Sequence, residues 1–135
     1  MTLSFIIPVA PVTKKNSQRI IWNKRVNRPM VLPSEKYKQY EKDAMFFLPT
    51  LEQPISTPVN VKAVFYVSTR HPVDLSNLIS ALHDVLTAGG VIADDNRNIV
   101  YAVDGSRVLW DKQNPRTEVE ITDIPKEEFQ SWEVK

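Results

Sequence analysis

The chain has 135 residues, of which 42% are hydrophobic and 24% are charged, a length and composition that suit one globular domain with a single core. The net charge is +1, there is no cysteine to form disulfides or thiolate metal sites, and no stretch approaches the roughly 18 consecutive apolar residues of a membrane span. We therefore expect a single domain over residues 1–135, located in the cytoplasm and without a membrane partner.

The first predicted element is a strand in LSFIIPV, which ends at two prolines and leads into a basic segment. Residues 13–42 hold nine lysines or arginines against two acids, about +7, whereas residues 43–135 carry about −6. This asymmetry indicates a surface that binds a polyanion, although lysines that only solvate a loop and a helix give the same pattern. The candidate contacts to a polyanion are Lys14, Lys15, Arg19, Lys24, Arg25 and Arg28.

The basic segment contains a predicted hairpin and then a predicted helix. The runs RIIWN and PMVLP are typical of two short strands, with a basic turn between them. Ser34 is a suitable N-cap for the helix that follows, and Pro49 ends it. The apolar face of this helix is predicted to contain Tyr37, Tyr40, Ala44, Phe47 and Leu48.

A second strand and a second helix carry the strongest periodicity. VNVKAVFYVS alternates in the manner of a strand, and DLSNLISALHDVLTAGG has apolar residues at helical spacing. Gly89 and Gly90 are expected to form a left-handed C-terminal cap, and His83 lies away from the apolar stripe with no assigned role. Late strands are predicted in NIVYAVDGSRVLW and TEVEITDI, before a mobile tail over 123–135. This order predicts an α/β domain of the α+β type, a mixed sheet with two helices packed on it.

Carboxylates flank the second helix on both sides. Asp74 precedes its first turn, and Asp94 and Asp95 follow the glycines. Taken alone, Asp74 is an ordinary N-cap, worth about 1 kcal/mol, and the aspartate pair is an ordinary turn. If the glycines turn the chain back, two or three carboxylates share a pocket, and their repulsion is removed by a hard cation such as Mg²⁺. With a basic segment nearby, this predicts metal-assisted cleavage of phosphodiesters.

The stretch PVDLSNLISALHDVLTAGGVIADDNRNIV resembles the signature of the RusA family of Holliday junction resolvases. In that signature a D-L-D-N-L segment opens a helix, a D-x-L segment closes it, and a G-x-x-x-D-D turn follows. PVTKKNSQR and NPRTEVEI are similar to segments near the two ends of the family domain, so the resemblance covers most of residues 3–122. It implies a small α/β homodimer that binds four-way DNA junctions in recombination and repair. It also implies paired nicks that use aspartates and Mg²⁺, for which Mn²⁺ can substitute.

Carried over residue by residue, the resemblance implies that Asp74, Asp94 and Asp95 are catalytic and bind the metal, with Asp95 the stronger ligand of the pair. Two positions depart from the family pattern. Ser76 stands where the family has a second aspartate, and Ser80 stands where a lysine is common. A serine hydroxyl binds a cation weakly or through water, which makes Ser76 a further candidate ligand.

Several other residues near the motif have weaker assignments. Asp104 is a candidate for the missing carboxylate if its strand lies beside the helix start, and Asn77 falls on the motif asparagine. Asp84 also matches a family position, but its place within the helix favours a structural role. His71 is a candidate contact to phosphate or metal, although loop histidines are more often only solvated. Trp22 either stacks on an unpaired base or packs in a core or dimer interface.

These observations favour a Mg²⁺-dependent, structure-selective endonuclease that acts on four-way junctions. One alternative is a junction-binding protein whose catalysis is weakened by Ser76 and Ser80. A second is a structural or interaction protein whose aspartates are only caps and turns. The first alternative predicts binding without cutting, and the second predicts neither metal binding nor salt-dependent affinity for DNA.

Overall fold

The protein is built around a mixed five-stranded sheet. The computed structural model describes residues 1–14 and 18–129, except for the side chains of residues 18–20 and 31–33. The strands are β1 (Thr2–Ile7), β2 (Gln18–Asn23), β3 (Arg28–Pro33), β4 (Val59–Val67), β5 (Val100–Ala102), β6 (Arg107–Trp110) and β7 (Arg116–Asp123). The helices are α1 (Glu35–Met45), α2 (Leu75–Ala88) and α3 (Lys126–Phe129). The predicted α+β class is therefore confirmed, with one short helix more than the two expected.

Strand β4 is the centre of the sheet. One of its edges pairs with β7, which pairs in turn with β1, and both of these pairings are antiparallel. The other edge pairs in parallel with two separate strands, β5 near the start of β4 and β6 near its end. The predicted alternation of β4 is confirmed, because every second side chain from Val59 to Val67 is buried.

Helices α1 and α2 cover the buried face of the sheet. Tyr37, Tyr40 and Ala44 of α1 belong to the same core as the buried side chains of β4 and α2. The core of α2 consists of Leu78, Ala81, Leu82, His83, Val85 and Leu86. The short helix α3 buries no side chain. Among the described residues, no helix combines the length and apolar character needed to cross a bilayer.

The end of α1 differs from the sequence prediction. The helix stops at Met45, four residues before Pro49, and Phe47 is 44% exposed instead of buried. Leu48 is half-buried because it turns toward the end of α2, where its Cδ1 atom would collide with any Cβ placed on Gly89. Gly89 therefore allows this close packing without a shift of Leu48, and only Gly90, with φ of 76°, has the left-handed conformation predicted for both glycines.

The opposite face of the sheet has no element packed on it within the described part of the chain. Ile6 of β1 is 52% exposed and Leu109 of β6 is 43% exposed. Between these strands, the register pairs Lys62 with Glu120 and Val64 with Glu118. We call this surface, formed by the outward side chains of β1, β7, β4 and β6, the open sheet face.

The predicted hairpin is also confirmed. Strands β2 and β3 form a separate two-stranded antiparallel sheet, with Asn27 in the turn at φ of 52°. Trp22 is 57% exposed and Val26 is 50% exposed, so the hairpin carries apolar side chains into solvent. The interpretation of Trp22 as a core residue is therefore wrong, whereas the stacking and interface interpretations stay predictions.

Candidate functional site around helix α2

Asp74 is the N-cap of α2. Its Oδ1 atom accepts hydrogen bonds from the backbone N–H of Ser76 at 3.0 Å and from the Ser76 hydroxyl at 2.7 Å. Its backbone carbonyl accepts the first bond of the helix, from Leu78 N–H at 3.2 Å. The cap and the candidate metal ligand are thus the same exposed side chain. Because the Ser76 hydroxyl donates its proton to Asp74, its oxygen lone pairs remain to accept a hydrogen bond or bind a cation.

The chain after α2 folds back against the end of the helix. Val91 N–H donates to the carbonyl of Leu86 at 2.9 Å, within the last turn of α2. Ile92 then forms a parallel bridge with Ile55, and Ala93 N–H donates to the Ile55 carbonyl at 2.9 Å. These bonds fix the point from which the segment with Asp94 and Asp95 begins.

Asp94 and Asp95 lie in an exposed turn that Asp94 organises. One oxygen of Asp94 accepts from the backbone N–H of Asp95 at 2.7 Å, and the other accepts from the Asn96 side-chain amide at 3.0 Å. The bond from the Asp95 backbone, followed by the Asn96 bond, lowers the pKa of Asp94 below its usual value. Asp94 therefore has a clear structural function as a turn-forming carboxylate, in addition to any role at a metal.

His83 was missed by the sequence analysis. It is only 8% exposed, and burial lowers the pKa of its imidazole, while the charges of Asp95 and Asp84 act in the opposite direction. His83 lies nine residues, or about 13 Å, along the helix from Asp74. The sequence does contain a signal that His83 shares a helix face with the motif, because Ser76, Ser80 and His83 are spaced four and three residues apart.

Lys14 brings a positive charge to the same helix. Its ammonium group forms an ion pair with Asp84 at 3.3 Å and lies 5.9 Å from the centre of the Tyr37 ring. Asp84 is one helical turn after Ser80, so this cation lies close to the position where the family resemblance leads us to expect a lysine. The ion pair is partly exposed and contributes about 0–1 kcal/mol to stability, which leaves Lys14 able to exchange partners.

The other candidate DNA contacts belong to the hairpin or lie outside the described residues. Lys24 and Arg25 occupy the turn between β2 and β3, and Arg28 begins β3; all three are exposed. Arg19 pairs through its backbone with β3, but its side chain lies outside the described residues, as does the whole of Lys15. The described cations of the hairpin therefore project from an arm that is separate from the main sheet.

Asp104 does not lie beside the start of α2. Its backbone N–H donates to the Asn60 side chain at 2.8 Å, and its carbonyl accepts from the same side chain at 3.1 Å. Asn60 is the second residue of β4, whereas the loop that leads to Asp74 leaves from Val67, the last residue, about 23 Å away along the strand. The suggestion that Asp104 replaces the missing carboxylate is corrected on this ground.

A groove lies next to Asp74, between the loop after β4 and strand β6. The guanidinium of Arg70 lies 4.1 Å from the ring centre of Trp110, and the indole N–H donates to the Ser68 carbonyl at 3.2 Å. The exposed His71 lines this groove and also an adjoining one that contains Lys36. None of the sequence patterns pointed to Arg70 or Trp110, because 40 residues separate them along the chain.

The carboxylates suit a hard cation in chemistry but do not form a large cluster. Over residues 1–14 and 18–129, no three histidine or acidic side chains group closely enough to hold a metal ion. Oxygen ligands without thiolates are nevertheless what Mg²⁺ prefers, and it commonly uses one or two carboxylates together with water and substrate phosphate. The donor set therefore fits a cation that binds together with the substrate, and not an ion enclosed by protein ligands alone.

Comparison with protein families identifies a match over most of the chain. A family profile described as Endodeoxyribonuclease RusA matches residues 8–122, which include α2, both groups of aspartates, the hairpin and most of β7. No curated protein matches the chain significantly.

Proposed function

The chain belongs to the RusA family of endodeoxyribonucleases, and we propose that it is a divalent-metal-dependent enzyme that resolves four-way DNA junctions by paired nicks, in recombination and repair. The observation that carries this proposal is that the family match spans α2 together with the aspartates at its start and after its end. A DNA substrate also favours a cytoplasmic location.

We assign metal binding to Asp74 and Asp95, with Asp94 as a further ligand and Mg²⁺ as the cation. Asp74 and Asp95 are exposed to solvent and therefore accessible to a phosphate backbone. A bound Mg²⁺, or Mn²⁺ in its place, would supply Lewis-acid chemistry by neutralising phosphate charge and making a nearby water more acidic. Ser76 adds one uncharged oxygen, which predicts weaker metal affinity than a second aspartate would give.

The remaining groups position the substrate. Lys14 is held beside α2 by Asp84 and is available to neutralise charge on a bound phosphate, as a lysine at position 80 would. Because burial lowers the pKa of His83, its imidazole adds no positive charge at pH 7 that would repel a cation. The exposed cations of the hairpin bind the DNA backbone without reading sequence, and such contacts weaken with salt.

Two symmetric nicks in a two-fold symmetric junction require two identical sites, and we propose that a homodimer supplies them through the open sheet face. This face combines exposed Ile6 with a groove of about 410 Å³ whose walls include Lys62, Val64, Glu118 and Glu120. Because this face carries both signs of charge around apolar side chains, a second copy related by a two-fold axis could pair opposite charges across it. The occupant of this face is therefore another copy of the chain.

Sedimentation tests this assembly. Wild-type protein should sediment at twice the 15.5 kDa chain mass at micromolar concentration, and Ile6→Lys should shift it to the monomer. Phe46→Lys is the matched control, because Phe46 is 78% exposed at the end of α1 and should leave the dimer intact. A wild-type monomer, with or without junction DNA, would remove the paired-nick mechanism.

The decisive experiment for function uses a labelled four-way junction. Purified protein should cut it in Mg²⁺, with paired and symmetric products, and should bind without cutting in EDTA. Binding without cutting in both conditions would support the alternative in which the serines at positions 76 and 80 have weakened catalysis. Failure to bind the junction more tightly than a duplex of the same length would refute the proposal.

A further inference from the structure

The groove beside Asp74 contains a stacked pair of side chains that the proposed chemistry does not use. The guanidinium carbon of Arg70 lies over the Trp110 ring, 4.1 Å from the ring centre. Trp110 is 47% exposed and Arg70 is also exposed, so both side chains border solvent. The groove has a volume of about 450 Å³ and is lined on its other side by His71, Pro72 and Val73.

We propose that Arg70 and Trp110 form a binding site for one unstacked base of the DNA, next to the phosphate that is cut. The proposal rests on the junction endonuclease function proposed above and adds a contact to a base, where the other contacts are to phosphate and metal. At the crossover of a four-way junction, bases can leave the helical stack at lower cost than within a duplex.

The chemistry of the pair matches this ligand. Arginine guanidinium planes and indole rings are the surfaces on which proteins stack unpaired bases, and stacking tolerates every base because each has a π face. The contact between Arg70 and Trp110 already orders the guanidinium, so less side-chain entropy is lost when a base binds against it. The positive charge of Arg70 also favours the adjoining phosphates.

The position of the pair is fixed by backbone as well as side-chain bonds. The indole N–H of Trp110 donates to the Ser68 carbonyl at 3.2 Å, and the backbone N–H of Asp111 donates to the Val67 carbonyl at 2.9 Å. These bonds join the end of β6 to the loop that leads into Asp74. A base held by the pair is thus held at a defined distance from the N-terminus of α2. Lys36, in the adjoining groove that shares the wall formed by His71, extends the path for the phosphate backbone.

The test asks whether removing a side chain and removing one base have the same effect on binding. Junctions with a single abasic nucleotide, scanned through the positions around the crossover, are titrated in EDTA so that no cleavage occurs. Wild-type protein should lose about tenfold in affinity at one position or a symmetric pair of positions, the loss expected for one stacked base. Arg70→Ala and Trp110→Ala should each lose about tenfold on the intact junction and nothing further on that abasic junction. Trp110→Phe should retain most of the affinity.

Two controls separate base stacking from charge and from loop structure. Lys24→Ala removes an exposed cation of the hairpin, which contacts only phosphate, and should weaken binding to intact and abasic junctions by the same factor. Thermal melting checks that each variant folds, and if Trp110→Ala does not, the exposed Arg70→Ala carries the test alone.

The outcomes distinguish this inference from the function on which it rests. If the variants lose equal affinity on the intact junction and on every abasic junction, the pair is structural and the inference is overturned, while junction cleavage by the wild type still stands. If wild-type protein shows no preference for junctions over duplex, the proposed function fails and the inference fails with it.

Discussion

Replacing Asp74 by asparagine and by alanine separates the two functions of this side chain. As an N-cap, it accepts bonds at 3.0 Å and 2.7 Å from the backbone and hydroxyl of Ser76. Asparagine caps a helix about as well as aspartate, so Asp74→Asn should change the free energy of unfolding by only a few tenths of a kcal/mol. Asp74→Ala removes the cap and should cost about 1 kcal/mol, which lowers the melting temperature of a domain of this size by about 4 °C.

Both substitutions remove the carboxylate charge, so both should reduce metal-dependent cleavage of a four-way junction by at least about 100-fold. Junction binding in EDTA should be equal to or tighter than that of wild type, because a negative charge near a phosphate is lost. The assays are thermal melting, a binding titration in EDTA and single-turnover cleavage in Mg²⁺. The matched control is Asp104→Asn, an exposed aspartate at the far end of β4, which should cut at the wild-type rate.

The result that would refute this reasoning is Asp74→Asn protein that melts and cuts like wild type. The aspartate would then be only a cap, and the metal site would have to be sought elsewhere. A loss of cleavage in Asp104→Asn equal to that in Asp74→Asn would instead show that the assay responds to any loss of negative charge.

Three further predictions concern the same helix. Ser76→Asp should lower the melting temperature in EDTA through repulsion with Asp74, and should increase the shift produced by millimolar Mg²⁺; no added shift would exclude position 76 from the metal site. Lys14→Ala should slow cleavage, and the added change Ser80→Lys should restore part of the rate, whereas a double variant as slow as Lys14→Ala would remove Lys14 from the active site. Because burial holds the pKa of His83 below 6.5, the folded state binds fewer protons than the unfolded state just below that pH. Stability in EDTA should therefore be greatest above about pH 6.5 and should fall as the pH drops below that value. If stability falls equally steeply in His83→Gln, groups other than His83 cause the fall.

The sequence predicted the elements whose signals are local. Helix α2 combines an N-capping aspartate, an apolar stripe and a glycine stop, and each of these acts within a few residues along the chain. Strand β4 alternates strictly because one face of it is buried under helices. The aspartates before and after α2 were identified for the same reason, since both their order and their spacing are properties of the chain alone.

The end of α1 shows where local signals were insufficient. Phe47 continues the helical spacing, yet the helix stops at Met45, and Leu48 turns toward Gly89 at the end of α2. Spacing along one element cannot show which neighbouring element will occupy that space. His83 was misjudged in the same way, because it is buried although it lies outside the apolar stripe of α2.

The tertiary structure alone decided which distant residues meet. β5 and β6 pair with opposite ends of β4, which removes Asp104 from the start of α2 and brings Trp110 to Arg70 instead. Lys14 reaches Asp84 across 70 residues of sequence. Helix caps and strand alternation follow from short-range sterics and hydrogen bonding, whereas these contacts depend on strand order and register, which no local pattern specifies.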